Sequence, residues 1–434
     1  PMVVLLGLGG HFSKNALAPA EPVLAQMGLS PVAYAVISAV PVLGSFALPA
    51  FWGMAYARWE CLVTALVPAG ILVSQLILVG GFAIWGTTSA AVAAQATLTL
   101  GLLTLSGFRA GGEVLQHTVL ARLMPKRLTG GFAGLVVCTH LVVMLCNFAV
   151  PQAVSDPEQP VRGLLRVQLL LLLPSAAGVL AAIWLLCRPA GWRSARAASW
   201  EHLPSESEAV EPQLDLERYL PPPPVQKPRS PWAGHLLIVW GALIVGLLHA
   251  LQSVTNGLVV SFGTTPAAAG SVVARSQLVA LCFLPAAGIL GDMLGRRALL
   301  VFTSVLVVLA TLTLAVATVW RLPCLLWQAA LQALAMASVM APVLPLALIP
   351  QNHAAPGKAY GMLDSLKSLT QASVMLLLGS LRQVGGFEAA ITFVCLPLAI
   401  ATVGLSTILA SAIEDVPGIE WTSLRTGRVQ AADD

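Results

Sequence analysis

The chain has 434 residues, of which 57% are hydrophobic and only 10% charged, with a mean hydropathy of +0.84. Soluble domains carry about 25% charged residues, so an ordinary soluble fold is excluded, and a net charge of +4 is too small to draw nucleic acid. The long unbroken apolar runs also exclude a membrane barrel, whose strands alternate polar and apolar residues, and leave an all-α membrane protein.

A helix needs about 20 apolar residues to cross a bilayer. In chain order such runs predict spans over 2–20, 31–53, 60–84, 89–121, 128–150 and 163–187. Residues 188–231 are polar, with Pro221–Pro224 and the acidic run ESEAVEPQLDLE, and read as a linker. Six further spans are predicted over 232–262, 265–290, 297–320, 322–350, 357–381 and 388–413. The organisation is an N-terminal six-helix half (1–187), a cytoplasmic linker (188–231), a C-terminal six-helix half (232–413) and a cytoplasmic tail (414–434). That makes 12 transmembrane helices in two pseudo-symmetric halves. With termini and linker on one side, that side gathers Arg58, Arg122, Lys126, Arg127, Arg296, Arg297, Lys358, Arg425 and Arg428, which marks it as cytoplasmic.

Between the second and third spans of the second half lies GILGDMLGRRALL, residues 288–300. Gly288, Asp292, Gly295, Arg296 and Arg297 there resemble the motif-A loop of the major facilitator superfamily. In that loop the Asp bonds a helix N-terminus and the Arg, latching one conformation. The matching first-half loop, FWGMAYARWE, keeps Gly53 and Arg58 but has Ala57 in place of the Asp, so the first latch is degraded.

Charge inside a membrane costs about 2.5–3.5 kcal/mol at the bilayer centre, so every internal charge needs a reason. Arg109 and Glu113 are four apart and share a face; they are either an internal ion pair or a site for the charged ends of a substrate. Lys14 and His11 lie three apart on the first helix; Lys14 either lines a cavity or snorkels to the interface. Asp364 and Lys367, three apart, read as a mutually neutralising pair or a proton-coupling element, and Arg275 as the holder of a structural or functional partner. His140 and His249 are hydrogen-bonded packing residues or proton carriers. Asn15, Gln116, Gln252 and Asn256 are polar groups able to line the same cavity.

Two segments narrow the resemblance: residues 110–151, which open AGGEVLQHT and run to a Pro, and residues 347–372, ALIPQNHAAPGKAYGMLDSLKSLTQA. Both are similar to the major facilitator superfamily domain-containing 1 family of lysosomal dipeptide transporters. The resemblance implies that Glu113 meets the substrate ammonium. His140 stands where that family has an Arg for the carboxylate, and is a weaker, pH-dependent anion partner. It also implies a lysosomal or vacuolar membrane, with the plasma membrane as the alternative, and a glycosylated accessory membrane protein as partner. The chain itself has no Asn-x-Ser/Thr sequon.

The expected function is secondary transport of a small zwitterion, a dipeptide or amino acid, by rocker-switch alternating access, as uniporter or symporter. The alternative is an organic anion, a monocarboxylate or organic phosphate, since Lys14, Arg109, Arg275 and Lys367 outnumber Glu113 and Asp364. A non-transporting receptor is a third class. No enzyme site, Walker loop, cofactor motif or metal-ligand spacing is present in the sequence, and the partners expected are a small solute and the lipid bilayer.

Overall fold

The computed structural model describes residues 2–26, 30–44, 46, 48–85, 91–123, 128–154, 160–187, 231–320, 322–352 and 356–413. Within these, the side chains at 26, 40, 41, 43, 44, 57, 91, 92, 95, 121–123, 128–133, 160, 231, 285–294, 350–352 and 356–358 are not described. Most of the predicted linker, all of the predicted tail and the side chains of Gly288 and Asp292 therefore lie outside the description.

The described chain is helical almost throughout. The N-terminal portion comprises α1 (Met2–Asn15), α2 (Glu21–Gln26), α3 (Pro31–Gly44), α4 (Leu48–Arg58), α5 (Glu60–Trp85), α6 (Ala91–Leu123), α7 (Leu128–Ala153), α8 (Pro160–Leu170) and α9 (Leu172–Leu186). The C-terminal portion comprises α10 (Pro231–Ser261), α11 (Pro266–Leu294), α12 (Arg296–Trp320), α13 (Cys324–Asn352), α14 (Pro356–Ala390) and α15 (Leu396–Ala412). Eight stretches among the described residues are long and apolar enough to cross a membrane, and the longest, 359–412, holds two passages. Helix α1, the α3–α4 pair and α6 fall outside these stretches.

Proline explains where the passages depart from unbroken helices. The first ends at Asn15 rather than at residue 20, because Pro19 cannot donate to the Asn15 carbonyl; a 3-10 turn, Ala18–Ala20, leads into α2 instead. The second is split into α3 and α4, with Pro49 in the first turn of α4 where a missing amide costs little. The sixth turns at Leu171, three residues before Pro174. In the last, the chain widens into a π turn over Ile391–Cys395 immediately before Pro397. Gly386, at φ 68, separates it from the helix before.

Among the described residues two large apolar cores form, with a smaller one of Val136, Ala280, Leu284, Ala335, Val339 and Val343 between α7, α11 and α13. One collects Leu6, Val67, Ile71, Leu115 and Ala181 from the N-terminal helices. The other collects Leu237, Trp240, Ile244, Leu247 and Leu300 from the C-terminal helices. The two meet chiefly along α3 against α14 and α7 against α11. At the end away from the termini, here called distal, both contacts close on glycine. Gly379 of α14 lies on Pro31 and Ala35 of α3, and Gly270 of α11 lies on the Asn147 carbonyl and Pro151 of α7. A β-carbon fits at neither position. Gly270→Val is expected to wedge α7 from α11 and lower the thermal midpoint, an overpacking cost of about 1–3 kcal/mol. Thermal unfolding in detergent, with Gly404→Val as the uncrowded control, measures it.

Candidate functional site

The site begins with the glycines of α1. A β-carbon at Gly7 would lie 2.7 Å from the Gln116 side chain, and one at Gly10 would lie 3.0 Å from Arg109 Cγ. Their absence lets α1 press onto α6, which sets His11 and Lys14 beside Arg109 and Glu113. Polar bonds hold α1 there. Gln116 Nε2 donates to the Val4 carbonyl at 2.8 Å, and His11 Nε2 donates to Gln116 Oε1 at 3.1 Å. Ser13 Oγ donates to Gln75 Oε1 at 2.5 Å, and Gln75 Nε2 donates to Gln168 Oε1 at 2.8 Å, tying α1 to α5 and α8. Hydroxyls and amides in a membrane interior are stable only when paired in this way.

Between the halves lies a cavity of about 170 Å³. It is lined by His11, Lys14, Asn15, Arg109, Glu113, Gln116, His140, His249, Gln252, Asp364 and Lys367, all singled out in the sequence. Its remaining wall includes the apolar or aromatic groups Tyr34, Ile37, Leu102, Leu105, Leu346 and Met375.

The buried charges form one chain across the halves. Arg109 pairs with Glu113 within α6. Lys367 of α14 donates to Glu113 Oε2 at 3.0 Å and to Asp364 Oδ1 at 2.7 Å. His117 of α6 faces Asp364 Oδ2 at 3.6 Å. The two pairs read separately from the sequence are thus a single network in which Glu113 serves a cation from each half. Lys14 lines the same cavity but makes no ion pair among the described residues. Two cations face two carboxylates in the network, and Lys14 is a further basic group of the lining.

Removing the carboxylate that Arg109 and Lys367 share should be costly, since an orphaned buried charge destabilises by about 3–5 kcal/mol. Glu113→Gln is expected to lower the thermal midpoint, and Lys367→Met in the same chain to restore part of it. Unfolding of the single and double variants decides this; additive losses would show that the pairing is not coupled.

The remaining candidates are held both in the cavity wall and outside it. His140 Nδ1 donates to the Val136 carbonyl at 3.0 Å and its Nε2 meets Ser338 Oγ of α13 at 3.2 Å, so it stitches the halves from the cavity wall. Asn15 Nδ2 donates to the His11 carbonyl at 2.8 Å. Asn256 is fully buried outside the cavity lining, donating to Asn147 Oδ1 at 2.7 Å across the halves. Arg275 is exposed on the outer face of α11. In the motif-A region Gly295, at φ 85, ends α11; Arg296 is buried at the start of α12, while Arg297 and Arg58 are exposed, Arg58 lying over the Trp59 ring.

Three features escaped the sequence reading. His117 joins the charge network. Tyr34 lines the cavity and donates to the Ser253 carbonyl at 2.9 Å. Above the cavity, Glu21 of α2 pairs with Arg382 of α14, the two side chains being 3% and 10% exposed. Gly257 of α10 packs on that carboxylate, and the Arg382 guanidinium lies 3.9 Å from the centre of the Phe387 ring. The signal available was an acid and a base on the side that otherwise carries few charges.

No family model and no curated protein matches the sequence. Solved structures do share its architecture. The human organic anion transporter MFSD10 (TETRAN) is 18% identical, with a TM-score of 0.60 over 93% of this chain and 98% of that one. A D-xylose–proton symporter is 14% identical, with a TM-score of 0.67 over 96% and 98%. The nucleoside transporter NupG, in a mutant form, is 12% identical, with a TM-score of 0.57 over 95% and 97%. The narrower resemblance to dipeptide transporters rests on its two sequence segments alone. With near-complete overlap of whole chains, the protein is a multi-pass membrane protein of the major facilitator fold.

Proposed function

We propose that the chain is a secondary transporter that carries a small organic anion with an apolar body, by alternating access of the central cavity. The observation that carries this reading is the additional basic group in the lining. Glu113 and Asp364 are already engaged by Arg109, Lys367 and His117, whereas Lys14 faces the cavity without an ion pair among the described residues. A carboxylate entering the cavity gains a charge-assisted bond from Lys14, and its apolar remainder is covered by Ile37, Leu102, Leu105 and Met375. A transporter of organic anions is among the proteins that share the fold, which supports the reading without fixing the substrate.

A dipeptide or amino acid is the second reading, favoured by the position of Glu113 between cations of the two halves. A substrate ammonium would replace Lys367 as its partner when the halves separate. Counterflow in proteoliposomes separates the readings. Vesicles preloaded with a branched or aromatic monocarboxylate should accumulate that labelled acid, and a dipeptide load should not drive it. Accumulation driven by dipeptides alone would reverse the order of the two.

A further inference from the structure

We propose that Arg275 holds the phosphate of an anionic phospholipid from the distal leaflet, making the outer face of α11 a lipid-binding site. The two faces of α11 separate cleanly. Val273, Ala274, Gln277, Ala280 and Leu284 are buried on one side, whereas Ala268, Arg275, Leu278, Val279 and Cys282 are exposed on the other at helical spacing. Leu278 is 50% and Val279 51% exposed, an acyl-chain surface with one guanidinium set into it.

Arg275 lies outside the cavity lining and has no hydrogen bond or ion pair with another described residue. It sits nine residues beyond Pro266, about 13 Å along the helix axis, which is within the apolar stretch Pro266–Leu284. A bare guanidinium at that depth is unfavourable, so the group needs an anion or must reach water. Its direction selects the anion. Side chains on a helix lean toward its N-terminus, and the N-terminus of α11 is at the distal surface. That lean aims the guanidinium up the apolar face toward the headgroups, where a phosphate offers two oxygens to its fork of N–H donors. The positive end of the α11 dipole lies in the same direction and favours the same charge. An acidic residue on a partner membrane helix would have to reach Arg275 from within the acyl region instead, and the upward lean works against that.

The test titrates the full-length protein in detergent with phosphatidylglycerol and counts bound lipids by native mass spectrometry. Wild type should bind one more phosphatidylglycerol than Arg275→Leu at matched concentration, with affinity at that site roughly tenfold higher, as befits one charge-assisted contact. Arg275→Lys should fall between them and, should the Leu variant fold poorly, serves as the comparison. Equal affinity in wild type and both variants would overturn the assignment. So would a photocrosslinker at position 275 that captures a protein rather than lipid in native membranes.

Discussion

Lys14→Gln is expected to remove most organic-anion uptake while leaving the protein folded. The ammonium lines the cavity and takes part in no ion pair among the described residues, so its loss orphans no carboxylate. The glutamine keeps a polar tip on a shorter stem. What disappears is one charge-assisted contact to the substrate, worth about 1.5–3 kcal/mol, or roughly one to two decades of affinity. Lys14→Arg should retain a large share of uptake, because charge rather than shape carries the contact. Three measurements separate the possibilities: thermal midpoint without substrate, substrate-induced stabilisation, and initial uptake across a concentration series. An unchanged midpoint with a raised half-saturation concentration fits the proposed role. A lowered midpoint with unchanged affinity would place Lys14 in the scaffold and remove the main support for an anionic substrate.

The order of helices was legible because each passage is a local property: about twenty apolar neighbours suffice to announce it. Breaks were less legible. Pro19, Pro49, Pro174 and Pro397 were all visible, yet whether a proline bends, splits or widens a helix depends on what packs beside it. The site divides on the same line. Arg109 with Glu113, and Asp364 with Lys367, could be paired from spacing on one helix. That Lys367 also reaches Glu113, 254 residues away, could not, because helical periodicity says nothing about which helix lies opposite. Arg275 shows the converse: its depth was readable, but the face it occupies follows from the packing of α11 on α7 and α13.

The distal ion pair gives the largest conformational effect. Glu21 and Arg382, 361 residues apart, join α2 of one half to α14 of the other. Both are buried there, beside Gly257 and Phe387. In the proposed alternating-access cycle the halves part at this end and each charge would return to water, so the pair is expected to act on the closed arrangement alone. Glu21→Gln leaves the Arg382 guanidinium buried against the Phe387 ring without its carboxylate, a penalty of about 3–5 kcal/mol on the closed state. By the population arithmetic, that moves the open-to-closed ratio by roughly two to four decades. A single cysteine at Ser253, whose carbonyl accepts from Tyr34 at the cavity wall, reports it once the native cysteines are replaced. Labelling by a membrane-impermeant maleimide from the distal side should accelerate in Glu21→Gln by about a hundredfold while the closed arrangement predominates, in line with the lower bound of that shift. Glu21→Gln with Arg382→Gln should fall back toward the parent, since the stranded charge is gone and only the attraction is lost. Equal labelling in parent and single variant, in protein that elutes as a monodisperse peak, would show that the pair is held by the fold in every state and is no gate.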